Sequence, residues 1–293
     1  MEMSATVVAL DMTRPFTAAR ARNAGFARVI DVMPETDVVQ FVDGDCEIGE
    51  GWLAKAAAGI EQDESVAVVC GRLRERWPEK TIYNRLCDIG WEYPLGDIPS
   101  CGGVAMYRAS AFAKSGGFNE ALVAGEEREL CARVRAAGGR IVRIDADMGF
   151  HDADMTSLSQ WWKRSTRTGW AYAAGVGMPG RAEWGSAVRR LMRSLGWGIV
   201  LPALFVVGVV GAVWSAWALV IVAMCVGGWC YVGWRVFHGR RRKGDSITVS
   251  ILCGTFTLLG KLPEAQGVLR YVWERLSRRS PRLIEYRPLA KAK

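Results

Sequence analysis

The most constraining feature of the chain is a change of character near residue 195. The apolar run from Leu195 to Phe237 is rich in Val, Ala, Leu, Gly and Trp, and it carries no charge before Arg235. A helix needs about 20 apolar residues to cross a bilayer, so this run is too long for one span and fits two. The sequence therefore predicts two transmembrane helices over residues 195–237.

Basic residues flank this run on both sides, and much of the net charge of +8 lies there. Such placement favours cytoplasmic flanks and contact with anionic lipid over nucleic-acid binding, so we expect no nucleic-acid partner. The prediction is an inner (plasma) membrane protein whose N-terminal domain and C-terminus are both cytoplasmic. The residues concerned are Arg189, Arg190, Arg193, Arg235 and residues 240–243.

The charge pattern divides the chain into four parts. Residues 1–180 form a soluble domain, 181–194 a basic juxtamembrane linker, 195–237 the two spans and 238–293 a basic cytoplasmic tail. A third span would place the arginine-rich tail outside, against the positive-inside rule. Within the tail, apolar residues recur at helical spacing, which predicts an amphipathic helix at the membrane interface. They are Ala265, Val268, Leu269, Val272 and Leu276.

Short apolar strands alternate with helices in the soluble part, which is typical of an α/β layered fold. Residues 72–99 are irregular and predict a long excursion over a binding cleft. In such folds ligands bind beyond the carboxyl ends of the strands. The predicted strands are 5–10, 37–42, 66–70, 101–108 and 141–144, and the predicted helices are 18–30, 52–60 and 126–137.

The sequence also disfavours two further features, a structural zinc site and a signal peptide. The eight cysteines contain no CxxC pair, which argues against a structural zinc site and predicts reduced thiols. The first twelve residues, MEMSATVVALDM, have no basic region followed by an apolar core, so no signal peptide is predicted.

Asp43-Gly44-Asp45 directly follows the predicted strand 37–42. Two carboxylates around a glycine can approach one hard cation and the phosphates that it carries. The alternative interpretation is a solvated turn. His151, shortly after the strand 141–144, is a candidate third metal ligand, and its alternative is a buried, hydrogen-bonded histidine.

Glu127 lies in the first turn of the predicted helix 126–137, on the same face as apolar Leu130, Cys131 and Val134. A carboxylate there suits a general base facing a cleft. The alternative is that the glutamates at 126, 127 and 129 only complement the helix dipole.

Two other segments carry candidate ligand-binding residues. Arg22 and Asn23, at the start of a small-residue helix, supply a cation and an amide for a diphosphate or a base. The segment 160–164, Gln-Trp-Trp-Lys-Arg, precedes the membrane run, and its alternative is an interfacial aromatic and cationic belt.

Six parts of the chain, taken in their order, resemble motifs of the family 2 glycosyltransferases. They are residues 21–25, 42–45, 102–108, 125–130, His151 and 160–164. Members of this family are inverting enzymes of the GT-A fold, and many have a membrane-anchored C-terminus. Glu127 stands where Asp is more usual in the family. Because the chain as given begins after the strands that hold the nucleotide base in that family, the resemblance implies an N-terminally truncated GT-A domain followed by a transmembrane hairpin and an interfacial helix.

The resemblance implies a metal-dependent glycosyltransferase that uses a nucleotide sugar and inverts the anomeric carbon. Its acceptor would be a glycan or a lipid-linked sugar, in exopolysaccharide or cell-envelope glycan synthesis. Mn²⁺ or Mg²⁺ would be held by Asp43, Asp45 and His151, and the base would be Glu127 with Glu126 beside it. Donor-binding positions would be Arg22, Asn23, Asp43, Gly102, Gly103, Gln160 and Arg164.

Two alternatives remain at this point. The first is a catalytically inactive, membrane-anchored scaffold of the same fold. The second is a membrane-anchored interaction protein whose acidic motifs are surface turns.

Overall fold

A computed structural model describes residues 5–177 and 181–278. The chain divides into two compact units. The first extends to Asp154, and the second comprises Met155–Gly177 and the helices from Trp184 onward. This division lies upstream of residue 180, where the charge pattern suggests that the soluble domain ends.

The first unit is a mixed sheet with helices packed against it. Its strands are β1 (Val38–Phe41), β2 (Cys46–Ile48), β3 (Val66–Glu75), β4 (Gly96–Asp97), β5 (Ala105–Arg108) and β6 (Arg140–His151). Its helices are α1 (Ala18–Val32), α2 (Trp52–Glu61), α3 (Ile82–Gly90), α4 (Ala109–Lys114) and α5 (Glu126–Ala136).

The strand order is β1-β5-β3-β6-β2, with β4 beside β6. The strand β5 runs antiparallel to both β1 and β3, while β3 and β6 are parallel. The strands β1, β3 and β6 therefore point the same way, and their carboxyl ends meet at one edge of the sheet. That edge is where a ligand site is expected.

The core of this unit is aromatic on one side of β1 and β5. The ring of Phe41 contacts those of Tyr107, Phe112 and Phe118, with centroids 5.0–5.4 Å apart. Trp52 is fully buried, and its indole N–H donates to Gln40 at 2.8 Å, which satisfies the one polar atom of the ring. The cluster fixes the strand that leads into Asp43.

Several sequence predictions about this unit are wrong in extent. The residues 5–10 form no strand, because β-prone side chains do not make a strand without a pairing partner. The excursion 72–99 contains the end of β3, all of α3 and β4. Thr81 caps α3 by accepting a hydrogen bond from the N–H of Asn84. The strand β6 extends beyond residue 144 to His151 because its far end pairs with β3 on one side and with β2 on the other.

The second unit is helical in its described residues. Its elements are α6 (Leu158–Ala174), a 3₁₀ turn (Gly175–Gly177), α7 (Arg181–Leu195), a π-helical segment (Gly196–Val200), α8 (Leu201–Gly211), α9 (Ala218–Arg242), α10 (Ile247–Leu259) and α11 (Lys261–Leu276).

Glycines allow α6 and α11 to approach closely. A Cβ on Gly267 would lie 2.0 Å from the carbonyl oxygen of Thr166, and one on Gly169 would lie 1.8 Å from that of Glu264. Trp170 is buried and donates to Glu274 at 2.9 Å. The segment 160–164, for which an aromatic belt is the alternative interpretation, contains a packing residue, since the buried Trp161 contacts Phe256 of α10.

Among the described residues, two helical stretches are long and apolar enough to span a membrane, Gly185–Gly211 and Ala218–Arg242. Few of their residues are buried within the protein, unlike those of a soluble core helix. The first stretch passes through the π-helical segment just before Pro202, whose missing N–H disturbs the α-helical hydrogen bonds. The helix α10, with 13 residues, is shorter than a span requires.

The amphipathic stripe predicted for the tail lies on α11 and divides in two. Ala265 and Val268 are buried, whereas Leu269, Val272 and Leu276 are exposed. Packing within the second unit therefore uses only part of the stripe. The location of α11 at the membrane interface, for which the exposed part would be available, stays a prediction.

Candidate functional site

The site lies at the edge where β1, β3 and β6 end. Asp43 and Asp45 follow β1, Glu75 is the last residue of β3, and His151 is the last residue of β6. The sheet register places His151 opposite Cys46 of β2 and opposite Glu75 of β3. The predicted aspartate pair and histidine are thus brought to one place from positions more than a hundred residues apart.

His151 lies between two carboxylates. Its Nε2 is 3.4 Å from Asp45 Oδ2, and its Nδ1 is 3.3 Å from Glu75 Oε2. The Asp45 side chain is partly exposed, while those of His151 and Glu75 are buried. Asp45 and His151 can therefore present one oxygen and one nitrogen to a cation that enters from the solvent side.

Cys46 completes a group whose possible ligand atoms all lie within 4.8 Å of one another, the others being Asp45 and His151. Burial raises the pKa of the Cys46 thiol, and the negative charges of Asp45 and Asp43 raise it further. A protonated thiol is a poor ligand, because the thiolate is the form that binds metals. The donor set is then a carboxylate and an imidazole, which fits a divalent cation such as Mn²⁺.

Asp43 is held on the other side of the site by Arg22. The guanidinium of Arg22 is 2.5 Å from Asp43 Oδ1, 3.0 Å from Glu126 Oε1 and 4.0 Å from Glu127 Oε1. Burial acts to lower the pKa of Arg22, but the carboxylates of Asp43, Glu127 and Glu126 outweigh it and raise the pKa above its ordinary value. Arg22 is a permanent cation among these carboxylates.

Gly103 marks the point where these side chains converge. A Cβ at this position would lie 2.7 Å from Asp43 Oδ2, 2.9 Å from Arg22 Nη2 and 3.3 Å from Glu127 Oε1. A side chain at this position would displace the ends of these three side chains, so glycine is the residue that lets all three lie against the backbone here. Its neighbour Gly102 adopts a left-handed φ of 84°, which turns the chain into this position.

The two glutamates that begin α5 have different surroundings. Glu126 is only 2% exposed, and among the described residues its Oε2 has no hydrogen-bond partner. The Glu127 side chain is 21% exposed and lies beside Gly103. Glu129 instead pairs with Arg133 one turn later. The inward face predicted for α5 is confirmed by Leu130, Cys131 and Val134, which are buried.

Two of the predicted donor-binding residues have other contacts. The amide of Asn23 clamps the backbone of Phe118, donating to its carbonyl and accepting from its N–H, both at 2.9 Å. Gln160 closes the capping box at the start of α6 with Ser157. Gln160 and Arg164 both lie in the second unit, and their part in donor binding stays a prediction.

Glu75 is a site residue that sequence reasoning did not identify. It lies beyond the predicted strand 66–70, inside the segment 72–99 interpreted as an irregular excursion, and only the fold shows that it faces His151. Trp91, which follows α3, also contacts His151, with ring centroids 4.6 Å apart. Arg72 and Arg74 interrupt the apolar run before Glu75, so the local pattern contains no signal for this residue.

Known proteins share parts of this chain. The family profile described as the N-terminal domain of galactosyltransferase matches residues 88–155, which include Gly103, Glu127 and His151. Pre-mycofactocin glycosyltransferase, in two strains of Mycobacterium tuberculosis, is 30% identical over 159 residues, 50% of this chain and 32% of that protein. The chain thus spans about a third of the length of these curated relatives.

A solved structure shares the fold. The mannosyltransferase PcManGT from Pyrobaculum calidifontis, in complex with GDP-Man and Mn²⁺, superposes with a TM-score of 0.51 at 14% sequence identity. The match covers 90% of this chain and 68% of that one. The predicted α/β architecture is confirmed, and in sequence and fold the chain resembles the glycosyltransferases of the GT-A fold.

Proposed function

We propose that the protein transfers a sugar from a nucleotide-sugar donor to an acceptor hydroxyl at a membrane surface. The observation that carries the proposal is the convergence of Asp43, Arg22 and Glu127 around Gly103, in a site that also holds Asp45 and His151. A turn that was only exposed to solvent would need neither a glycine in contact with these side chains nor a buried arginine.

The donor would bind with its diphosphate near Asp45 and His151. A divalent cation held by these residues, with Asp43 close by, supplies the positive charge that a departing nucleoside diphosphate needs. Arg22 is already cationic in this place and can contact phosphate oxygens. The presence of GDP-Man and Mn²⁺ in the structural neighbour supports this assignment.

The acceptor would be activated by Glu127. Its carboxylate is accessible and adjoins Gly103, so it can take the proton of an acceptor hydroxyl while that oxygen attacks the anomeric carbon. The carbon–oxygen bond to the diphosphate breaks in the same displacement, which inverts the configuration. Glu126, buried and paired with Arg22, would hold the guanidinium in position rather than exchange protons.

The membrane assignment is supported by the two exposed apolar helices and their basic flanks. A lipid-linked acceptor would present its hydroxyl at the cytoplasmic surface of the plasma membrane, as in exopolysaccharide or cell-envelope glycan synthesis. The two candidate spans in the described part of the chain are too few to enclose a channel for a polymer, and we propose addition of a single sugar.

The test is transfer or hydrolysis by the detergent-purified full chain across UDP- and GDP-sugars, with Mn²⁺ and with EDTA. Release of nucleoside diphosphate that requires the metal and disappears in Glu127→Gln is the expected result. Failure to bind any nucleotide sugar in the presence of Mn²⁺ would instead support the inactive scaffold. Binding of a nucleotide sugar without release, for every donor and with membrane lipid extract added as acceptor, would count against that scaffold and would also contradict the proposed transfer.

A further inference from the structure

We propose that Glu75 is the residue that orients His151 toward the divalent cation. This inference rests on the proposed function, because it concerns how the same site holds its metal. Glu75 does not approach the donor or the acceptor in this assignment. Its effect would pass entirely through the imidazole ring.

Three hydrogen-bond donors converge on the Glu75 carboxylate. The N–H of Ala153 donates to both oxygens at 3.1 Å, and the side-chain amide of Asn84 donates to Oε1 at 3.4 Å. The third donor is His151 Nδ1, 3.3 Å from Oε2. The Glu75 side chain is fully buried, so solvent cannot replace any of these donors.

Only a carboxylate satisfies this arrangement. A carboxylate accepts on both oxygens, whereas the amide of glutamine has one accepting oxygen and two N–H groups of its own. A glutamine would direct its N–H groups at Ala153 and Asn84 or at His151. In the second case it would donate to Nδ1 and place the ring proton on Nε2, the nitrogen that faces Asp45. A protonated Nε2 cannot bind a metal.

The backbone around His151 is already fixed, which leaves the ring as the part that needs orienting. The His151 carbonyl accepts from the N–H of Arg76 at 2.8 Å, and the N–H of Asp152 donates to the Asp45 carbonyl at 2.9 Å. These backbone contacts leave the orientation of the imidazole to its side-chain neighbours, among which Glu75 contacts Nδ1 and Trp91 packs on the ring. A carboxylate on the second nitrogen of a metal-binding histidine fixes the orientation of the ring and its tautomer.

The experiment measures the binding of Mn²⁺ to the full chain in detergent by electron paramagnetic resonance. A titration gives the affinity, and pulsed measurements detect the nitrogen of a coordinated imidazole. We expect Glu75→Gln to lower the Mn²⁺ affinity about 10- to 100-fold and to remove or weaken the nitrogen signal. His151→Ala should remove that signal, and His238→Ala, at the chain's other histidine, should leave it intact.

Two further variants separate positioning from folding. Asp88→Ala removes the side-chain acceptor of the backbone N–H of Glu75 and should affect stability without changing the nitrogen signal. Glu75→Asp keeps the charge but withdraws the oxygens, so it should weaken the signal even if Glu75→Gln does not fold.

The outcomes distinguish this inference from the function on which it rests. A folded Glu75 variant with the wild-type Mn²⁺ affinity and nitrogen signal would overturn the role of Glu75 and leave the proposed function standing. Absence of Mn²⁺ binding, or of a nitrogen signal, in the wild type would overturn the metal assignment of His151 as well.

Discussion

Arg22 connects the two chemical halves of the site at the scale of single residues. One guanidinium is shared by Asp43, on the metal side, and by Glu126 and Glu127, on the acceptor side. Three carboxylates this close repel one another unless a cation lies between them. The arginine that the sequence suggested as a phosphate contact therefore has a second task, which is to keep the acidic residues together before any ligand binds.

Replacing Arg22 with Gln should destabilise the protein, because Glu126 would remain buried without its counter-charge. The Arg22 and Glu126 side chains are 10% and 2% exposed, and breaking such a pair costs about 3–5 kcal/mol. Chemical denaturation of the full chain in detergent measures the loss. The control is Arg28→Gln on the same helix, whose pair with Asp31 is exposed and worth at most about 1 kcal/mol.

The double variant Arg22→Gln with Glu126→Gln should recover part of the lost stability, since it removes the unpaired charge. If Arg22→Gln proves no more harmful than Arg28→Gln, the buried ion pair does not hold the site together.

The two neighbouring glutamates can be separated by kinetics. Glu127→Gln should lower kcat about 10²- to 10⁴-fold while donor binding is retained, because only the proton acceptor is lost. Glu126→Gln should reduce kcat less, since its oxygen can still accept from Arg22. Steady-state rates together with calorimetric donor binding measure both effects. A larger loss of kcat in Glu126→Gln would transfer the role of base to that residue.

At the scale of elements, the sequence predicted those helices and strands that depend on local residue patterns. The helices α1, α2 and α5 and the strand β1 follow from apolar spacing and from the glycine before α5. The far halves of β3 and β6 do not, because charged and polar side chains interrupt their apolar runs and the strands persist through pairing with each other. Glu75 and His151 lie in those halves, so half of the metal site depends on long-range pairing.

The contact between α6 and α11 gives a prediction at the same scale. Gly267→Ala should destabilise the second unit by about 1–3 kcal/mol, because the new methyl would overlap the carbonyl of Thr166. Thermal unfolding in detergent measures the loss. The matched control is Gly239→Ala on α9, where nothing lies within 4 Å of the added Cβ and the gain in helix propensity should dominate. Equal melting temperatures for the two variants would show that the helices separate without cost.

At the scale of the whole molecule, the charge pattern predicts how the chain lies in the membrane. The connection between α8 and α9, residues 212–217, carries no charge and contains the exposed Trp214 and Trp217. Basic residues instead precede α8 and lie at the end of α9 and just after it, as Arg240 and Lys243 do. Retention of positive flanks in the cytoplasm would put the connection outside and the site inside, where nucleotide sugars are available to it.

Cysteine labelling in intact cells tests this topology. Ser215→Cys, in the connection, should react with a membrane-impermeant maleimide, whereas Lys243→Cys should react only after permeabilisation. The wild type is the background control, because we expect its eight cysteines to lie on the cytoplasmic side or within the apolar helices. The reverse pattern, with Lys243→Cys labelled from outside, would place the candidate active site outside the cell and remove the cytoplasmic donor from the proposed reaction.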